Sequence, residues 1–510
     1  MQKLPIGIQT FQKIRSDDYV YIDKTPEALR LLDSGYQYFF LSRPRRFGKS
    51  LFIDTLHNIF EGNKKLFLGL HIYDKYDWNL KYPVIRVDFG NQKANSAEKL
   101  ALYIKNRLLD IAQQYEVEIK RDEYYEIFKE LITKLKDKYN QKVVILIDEY
   151  DKPILDNIED TPLALEMREI LRGFYTIIKG ADADLRFAFL TGVSKFAKAS
   201  IFSGLNNLQD ISLDTRYSTI CGYTQTNLEE SFEEHLDGVD LEAVKRWYNG
   251  YSWLGDSLYN PFDILLFLDN PEKEFKNYWF ETGTPTFLVK LIKDKQYFLP
   301  NLSNLEAGES LINSFDIEDL DLEAILFQAG YLSIKEKTTD MFNMPLYKLD
   351  FPNFETKHSF NNLFIEKIAH SERHKSQSGI YKSLLSNNLE SLKTNLISLY
   401  ASISYHNFTK NQLDKYEGFY ASVLYAYFAS LGVEIIPEDI TNKGRIDMTI
   451  KMGSAIYIFE FKVDKGSALS QIKGRNYQEK YLNSDIPIYL IGIEFNSKKR
   501  NIEKMEWEGV

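Results

Sequence analysis

The stretch "YQYFFLSRPRRFGKSLFIDTLHNIF", residues 36–60, decides the fold of the first half of the chain. It opens with an apolar and aromatic run at 36–42, which is typical of a buried strand. It closes with apolar residues at helical spacing, and Gly62 is a suitable helix stop. The basic loop between these two segments therefore joins a strand to a helix.

A loop in this position binds phosphate when its backbone N–H groups face the anion, a lysine reaches the terminal phosphates and a hydroxyl binds magnesium. Gly48, Lys49 and Ser50 supply the second half of this pattern. Arg43 stands where the first glycine usually lies, so a basic surface turn is the alternative. The residues that we expect to contact a nucleotide here are Arg45, Arg46, Phe47, Gly48, Lys49, Ser50 and Leu51.

A second apolar run favours the nucleotide interpretation. The sequence "KVVILIDEYDKP" (142–153) is apolar until it reaches Asp148 and Glu149. An aspartate at the end of a buried strand is suited to hold magnesium with Ser50, and the next glutamate to activate the attacking water. The alternative is an ordinary acidic pair at a strand end. Thr191, which ends the run "FAFLTG", would either orient that water or cap the following turn.

Strands and helices alternate along this half of the chain, which predicts a parallel sheet. From about 225 to 345 the pattern is mostly helical. The polar stretch 370–379 indicates a linker or an exposed turn. A long amphipathic helix over 411–432 follows, and two strands and another helix close the chain. The strand patterns of the first half lie at 36–42, 83–90, 142–153 and 185–196, and its later helical patterns lie at 97–115 and about 162–179.

Composition limits the possible classes of protein. A chain of 510 residues suggests two to four domains. Its net charge of −10 excludes a protein that coats nucleic acid by bulk charge, so any such contact needs a local patch. The single cysteine, Cys221, excludes an internal disulfide framework and a Cys-rich zinc site. The sequence has no signal-peptide pattern and no apolar run of about 20 residues, so we expect a cytoplasmic protein without a membrane partner.

Six short motifs recur together in one known family: "YVYIDKT" (19–25), "RPRRFGKSL" (43–51), "ILIDEYDKP" (145–153), "LTGVSKF" (190–196), "WYNGY" (247–251) and "YNPF" (259–262). Together they resemble the bacterial AAA-ATPase-like family, in which arginines replace the early glycines of the phosphate loop. The resemblance covers about residues 1–290 and implies ATP, with Mg²⁺, as the ligand of the loop. It also implies that 225–345 is a helical lid, in which "WYNGYSW" (247–253) forms either core and turns or a stacking surface for a partner.

The C-terminal segment carries a second group of charged residues. In "SAIYIFEFKV" (454–463), Glu460 and Lys462 lie two residues apart and so share one face of a strand. With Asp447 from the preceding strand, two carboxylates are available for Mg²⁺ or Mn²⁺, and the lysine would orient or activate water. The alternative is an ion pair on a solvated strand.

Asp447 and the Glu460-Phe461-Lys462 triplet resemble the PD-(D/E)XK nuclease superfamily, although Ile446 replaces the proline of the motif. The resemblance implies that Glu417, on the preceding helix, completes the metal site, and that Gln471 and Tyr477 lie on the helix that follows. It also implies DNA or another nucleic acid as partner. Basic residues that would either contact phosphate or form a solvated surface are Arg445, Lys451, Lys465, Lys473 and Arg475.

The expected fold class is therefore α/β: a P-loop NTPase core with a parallel sheet, a helical lid and a restriction-endonuclease-like C-terminal domain. The expected function is ATP hydrolysis coupled to a metal-dependent nuclease-like domain. An ATP-dependent switch with a non-catalytic nucleic-acid- or protein-binding module is the alternative, and a homo-oligomer is compatible with either. The expected segments are an ATPase domain at 1–225, a lid at 226–345, a linker at 346–385 and a nuclease-like domain at 386–510.

Overall fold

The computed structural model of the protein describes residues 1–196, 201–202, 205, 207–279, 288–289, 291–292, 295, 297–303, 305–309, 316–368, 373–403, 417–452, 455–464 and 466–510. The chain divides into two compact units. The first comprises Met1–Trp279 and Glu306–Asn353, and the second comprises Phe280–Leu305 and Phe354–Val510. Within the described ranges, every helix is too short or too polar to span a bilayer.

A five-stranded parallel sheet forms the centre of the first unit, as the alternation of strands and helices predicts. The strand order is β2-β3-β4-β1-β5. All residues of β1 and β3 are buried, which explains their continuous apolar sequences. Because the strands are parallel, the carboxyl ends of β1, β3 and β4 lie at one edge of the sheet. The strands β1 to β5 are Tyr38–Ser42, Val84–Asp88, Val143–Asp148, Leu185–Gly192 and Gln209–Asp210.

Helices cover this sheet. Helix α3 begins immediately after the basic loop and packs on β2, β3 and β4 through its buried apolar residues. Helices α4, α5 and α7 pack on one another, each with a distinct apolar face. The helices α1 to α7 are Phe11–Ser16, Thr25–Asp33, Lys49–Phe60, Ala97–Gln114, Tyr124–Tyr139, Lys152–Leu155 and Thr161–Gly180.

The range expected to be mostly helical also contains two small sheets, β6-β7 and β8-β10-β9. Strand β9 has the sequence "SIKEKTT" and exposes most of its residues, so it lacks the apolar run that marks a buried strand. The strands β6 to β10 are Asn249–Tyr251, Leu258–Tyr259, Leu305–Gly308, Ser333–Thr339 and Pro345–Asp350, and the helices α8 to α11 are Gln225–Ser231, Leu241–Tyr248, Pro261–Asp269 and Leu322–Ala329.

The second unit contains a mixed sheet with the strands in sequential order. Its strands pair antiparallel except β13 and β14, which are parallel and joined through helix α16, Ala468–Arg475. The expectation of two strands in this segment is wrong. The edge strands were missed because β11 contains Pro437 and β15 is largely charged, whereas β14 is an apolar run with a clear strand signal. The strands β11 to β15 are Glu434–Thr441, Gly444–Met452, Ala455–Val463, Ile488–Asn496 and Asn501–Gly509.

The polar stretch 370–379 is a second correction, because its residues from 373 onward begin helix α13. Burial of Ile380 and Leu384 anchors that helix despite its polar first half. Residues 370–372, and 411–416 of the predicted long helix, lie outside the described residues. The expected borders at 225 and 385 fall inside the first and second unit, respectively. The helices α12 to α15 are Phe354–Ile368, Arg373–Leu385, Leu389–Ala401 and Glu417–Ser430.

Candidate functional site

The basic loop lies between the end of β1 and the start of α3. Gly48 has φ = 92° and Arg46 has φ = 68°, so the loop turns sharply before the helix begins. Within the described part of the chain, no side chain caps the N-terminus of α3. The first N–H groups of this helix are therefore not satisfied by a capping side chain, which is the state that an anion ligand requires.

Lys49 is 6% exposed and points back into the loop. Its Nζ donates to the carbonyl oxygens of Arg43, at 3.0 Å, and Pro44, at 2.9 Å. Burial lowers the pKa of Lys49, and the nearby carboxylates of Glu149 and Asp148 oppose this shift. The loop thus holds a cation in a site with low water access.

Ser50, in the first turn of α3, lies near Asp148 at the end of β3, although β4 separates β3 from the strand β1 that leads into the loop. The Ser50 hydroxyl lies close enough to the Asp148 carboxylate to favour its charged form. Burial raises the pKa of Asp148 to about 6, and Ser50 and the Lys49 ammonium partly oppose this shift. The structure therefore brings together three of the residues that the sequence analysis assigns to the nucleotide.

Glu149 and Thr191 lie beside this group. Glu149 follows Asp148 in a left-handed turn with φ = 49°, and a Cβ on Gly90 would lie only 3.1 Å from its Oε2. Thr191 is the last residue but one of β4, which lies between β3 and β1, and its Oγ1 is buried with no hydrogen-bond partner among the described residues. An orphaned buried hydroxyl at this edge fits a site that a polar ligand completes.

The other predicted loop residues divide into buried and exposed ones. Phe47 is buried, and its ring centroid lies 4.9 Å from that of Tyr251 and 5.2 Å from that of Trp253. Arg45 and Arg46 are exposed, and the Arg46 guanidinium lies 4.7 Å from the centroid of the Phe262 ring. Leu51 is half-buried in the first turn of α3.

The motifs "WYNGYSW" (247–253) and "YNPF" (259–262) pack on the basic loop. Tyr251 and Trp253 are buried against Phe47, and the side-chain amide of Asn260 lies 3.5 Å from the Arg45 carbonyl oxygen. This arrangement favours the core interpretation of "WYNGYSW" over an exposed stacking surface.

Asp151 is a residue that the sequence analysis missed. Its buried carboxylate accepts hydrogen bonds from the N–H groups of Val193, at 3.1 Å, and Ser194, at 2.5 Å, just after β4. Burial raises its pKa to about 6, although these N–H groups oppose the shift. A Cβ on Gly192 would lie 2.3 Å from Asp151 Oδ1, so glycine is required there. The sequence feature that could have identified Asp151 is a second aspartate three residues after Asp148, in "DEYD" (148–151).

The C-terminal group lies where β12 and β13 separate. Their pairing ends at Met448 and Phe459, and one residue before Met448, Asp447 accepts a hydrogen bond from Phe461 N–H at 2.7 Å. Burial raises the pKa of Asp447, while Lys462 opposes this shift. Asp447 is therefore held at the fork of the two strands, next to the segment that carries the glutamate and the lysine.

Glu460 is 1% exposed. Its Oε1 accepts hydrogen bonds from Lys462 Nζ, at 3.3 Å, and from the side-chain amide of Gln471. Its Oε2 is buried and has no hydrogen-bond partner in the part of the chain that the structure describes. Burial, and then the charge of Asp447, raise the pKa of Glu460 to about 7. An orphaned buried carboxylate oxygen fits a site that a cation completes.

Glu417 and Lys462 complete the electrostatic group. Burial raises the pKa of Glu417, Lys462 opposes that shift and Asp447 adds to it. Burial disfavours the charged form of Lys462, yet the carboxylates of Glu417, Glu460 and Asp447 raise its pKa overall. All four predicted residues are therefore within electrostatic reach of one another.

Among the described residues, no three His, Cys, Asp or Glu side chains form a group able to hold a metal ion. Mg²⁺ usually keeps several waters and takes only one or two carboxylates plus phosphate oxygens. Asp447 and Glu460 supply the two carboxylates that such a site needs, and waters and phosphate oxygens would supply its other ligands. At the loop, Ser50 and Asp148 would likewise supply only part of the ligand set of a magnesium ion.

The surroundings of this group differ in part from the resemblance. Gln471 lies on α16, as expected, whereas Tyr477 begins a separate 3₁₀ helix, Tyr477–Tyr481, and donates to the Arg445 carbonyl oxygen at 2.9 Å. Three of the predicted basic residues are paired with carboxylates: Arg445 with Glu438, Lys451 with Glu434 and Lys473 with Glu508. Arg475 donates to the Lys443 carbonyl oxygen at 2.7 Å, and Lys465 lies outside the described residues.

Glu438 is a second missed residue. It lies on β11, forms an ion pair with Arg445, and is 25% exposed in its side chain. Burial raises its pKa, Arg445 opposes this shift, and the charge of Asp447 adds to it. Only the pairing of β11 with β12 brings it near Asp447, so no local sequence signal marked it.

Comparisons with known proteins match the loop site and the C-terminal site to two different protein families. A sequence model described as "Predicted AAA-ATPase" matches residues 5–202, and one described as "PD-(D/E)XK nuclease superfamily" matches residues 415–505. The chain is 46% identical over 508 residues to a protein of Azotobacter chroococcum mcd 1 described as "Uncharacterized protein in vnfD 5'region", with 98% of each chain covered. The chain therefore belongs to the AAA-ATPase-like family, in the form that also carries a PD-(D/E)XK nuclease superfamily domain at its C-terminus.

Proposed function

We propose that the first unit binds and hydrolyses ATP. The observation that carries this proposal is the meeting of Lys49, Ser50 and Asp148 at the carboxyl edge of the parallel sheet. Backbone amides at the start of α3 bind the phosphates, and Lys49 neutralises the terminal ones. Magnesium, when bound, neutralises developing charge on the phosphates, and Ser50 and Asp148 hold it.

The neighbouring residues then handle the water. Glu149 lies directly after Asp148 and takes the proton of the attacking water. Thr191 orients that water through the Oγ1 that has no partner among the described residues. Asp151 holds the turn after β4 through two backbone N–H groups, and so fixes the position of Thr191.

We further propose that the second unit cleaves phosphodiester bonds in nucleic acid with Mg²⁺ or Mn²⁺. The supporting observation is the buried, unpartnered Oε2 of Glu460 beside Asp447 and Lys462 within the described ranges. A divalent cation, when bound, stabilises charge on the scissile phosphate. Asp447 and Glu460 would hold it with waters and phosphate oxygens, Glu417 would contribute negative charge to the same site, and Lys462 would orient and activate the water. Nucleotide state in the first unit then biases this activity.

One observation favours a second candidate, a switch with a non-catalytic binding module. Three of the basic residues expected to contact phosphate are already paired with carboxylates. A surface neutralised in this way contributes little to phosphate binding. This candidate keeps ATP binding and removes cleavage.

Purified wild type, Lys49→Ala and Lys462→Ala protein distinguish these functions. We expect the wild type to hydrolyse ATP and, with Mn²⁺, to cleave DNA or RNA. Lys49→Ala should weaken MgATP binding by about 10- to 100-fold, because a charge-assisted contact is worth about 1.5–3 kcal/mol. Lys462→Ala should abolish cleavage and retain the fold by circular dichroism.

The outcomes separate the two halves of the proposal. ATP binding that is unchanged in Lys49→Ala contradicts the loop assignment. A wild type that turns over ATP and cleaves no single- or double-stranded nucleic acid with Mn²⁺ supports the switch. Cleavage by Lys462→Ala that equals cleavage by the wild type contradicts the role assigned to Lys462.

A further inference from the structure

Arg43, which stands in place of the first glycine of the phosphate motif, is completely buried. Its Nη1 donates to the carbonyl oxygens of Ser42 and Ser212, both at 2.8 Å. Its Nη2 donates to the carbonyl oxygen of Tyr217 at 3.3 Å. The guanidinium thus bridges the loop to a segment that lies about 170 residues further along the chain.

The flat face of this guanidinium is also occupied. It lies 4.2 Å from the centroid of the Trp253 ring, which is a short cation–π contact in a desolvated place. Trp253 in turn packs edge-on against Phe47, a residue of the loop itself. Arg43 and Phe47 therefore fix both ends of the loop on the same aromatic side chain.

The backbone of Arg43 contacts the groups nearest to the expected phosphates. Its carbonyl oxygen accepts from Lys49 Nζ at 3.0 Å. Its N–H donates to the Gly192 carbonyl oxygen at 3.2 Å, directly after Thr191. A displacement of Arg43 would therefore move Lys49 and the end of β4 together.

We propose that Arg43 is a positioning residue of the nucleotide loop, which sets the place of Lys49 through contacts with Ser212, Tyr217 and Trp253 and does not touch phosphate. A glycine at this position lets a loop adopt its shape through backbone freedom. Here the hydrogen bonds of the Arg43 guanidinium fork and its contact with the Trp253 ring fix the shape of the loop instead. Lysine cannot replace this fork, because it lacks the planar set of donors.

This inference rests on the proposed ATP function, and the test keeps the two apart. Arg43→Gly restores the consensus glycine, and Arg43→Lys keeps the charge without the fork. If Arg43 only fills a glycine position, Arg43→Gly should bind MgATP as the wild type does, or better. If it positions Lys49, Arg43→Gly should raise KM for ATP by about tenfold, because Lys49 then loses its fixed place beside the phosphates, and Arg43→Lys should lie between.

A change in KM for ATP without an equal change in kcat distinguishes a positioning role of Arg43 from a general loss of stability. General destabilisation lowers the amount of active enzyme, and so the apparent kcat, and leaves KM for ATP unchanged. Trp253→Phe keeps an aromatic ring and serves if Arg43→Gly does not fold; a raised KM is expected there too. Arg121→Gly, an exposed loop arginine in the same unit, is the matched control and should keep the wild-type KM.

The KM values of these variants decide whether Arg43 positions the loop. A raised KM in Arg43→Gly and Trp253→Phe, with a smaller rise in Arg43→Lys, supports the positioning role. A wild-type KM in Arg43→Gly, or a loss confined to kcat in every variant, overturns it. A wild type that binds no MgATP instead overturns the proposed function on which it rests.

Discussion

The two charged sites satisfy their buried groups in opposite ways. At the loop the buried charge is a cation, Lys49, and two backbone carbonyl oxygens of the loop already accept its hydrogen bonds. At the C-terminal site the buried charge is an anion, Glu460, and one of its oxygens has no partner in the described residues. The protein thus satisfies the hydrogen bonds of Lys49 at the first site, whereas the second site leaves Glu460 Oε2 for a ligand to satisfy.

This difference has a consequence for how each site responds to loss of charge. Removing Lys49 takes away a ligand contact and also two satisfied hydrogen bonds. Neutralising Glu460 takes away a metal ligand and removes the charge from a buried carboxylate that has one unpartnered oxygen among the described residues. Variants at the two sites should therefore differ in stability as well as in activity.

The largest expected effect tests whether the loop site performs chemistry or only binds. Glu149→Gln should lower kcat for ATP hydrolysis by about 10²–10⁴-fold, the usual contribution of a positioned general base. It should keep MgATP affinity within about threefold, since the phosphate contacts remain. Steady-state hydrolysis and calorimetry measure the two quantities, and equal losses in both would contradict the assignment of Glu149 as the base.

The next largest effect tests whether a metal ion binds to the unpartnered carboxylate oxygen of Glu460. In wild type, Mn²⁺ at about 100 times its Kd should add about 2.7 kcal/mol of stability to the unit that binds it. Glu460→Gln should cancel this shift, and should leave the metal-free protein as stable as wild type or more stable. Thermal unfolding with and without Mn²⁺ measures both, and a metal-free variant that is clearly less stable would show that the unpartnered oxygen of Glu460 costs the wild type no stability.

A smaller effect tests how tightly the loop site is packed. Gly192→Ala would place a Cβ 2.3 Å from Asp151 Oδ1, so it should lower the free energy of unfolding by about 1–3 kcal/mol and disturb ATP turnover. Gly180→Ala, at the end of α7, meets no atom within 4 Å and is the matched control. The control should be neutral or more stable by up to about 1 kcal/mol. Denaturant titration compares the pair, and equal stabilities would count against a closely packed turn.

The smallest effect concerns the rim of the C-terminal site. Glu438 is partly exposed and paired with Arg445, so Glu438→Gln should change Mn²⁺ affinity by less than about 1 kcal/mol. A loss of tenfold or more would make Glu438 a metal ligand. Calorimetric titration of Mn²⁺ into wild type and variant separates these results.

The sequence predicted those parts of the fold that depend on local patterns. Strand β1, the loop and α3 follow from a continuous apolar run, a basic loop and helical spacing. Asp148 and Glu149 were identifiable because they end a buried strand. The pairing of Glu460 with Lys462 follows from the two-residue period of a strand.

The parts that depend on distant contacts were beyond local patterns. Arg43 appears in the sequence as one of several loop cations, and only Ser212, Tyr217 and Trp253 make it a buried structural residue. Glu438 becomes relevant only through the register of β11 with β12. Edge strand β15 was missed because charged residues cover its exposed face.

Calorimetric titration of MgATP into the 510-residue chain tests directly whether Lys49, Ser50 and Asp148 form a site for a magnesium-bound triphosphate. We predict saturable binding to the wild type that is weakened at least tenfold in Lys49→Ala. No heat with the wild type, or the same isotherm for both proteins, would contradict it.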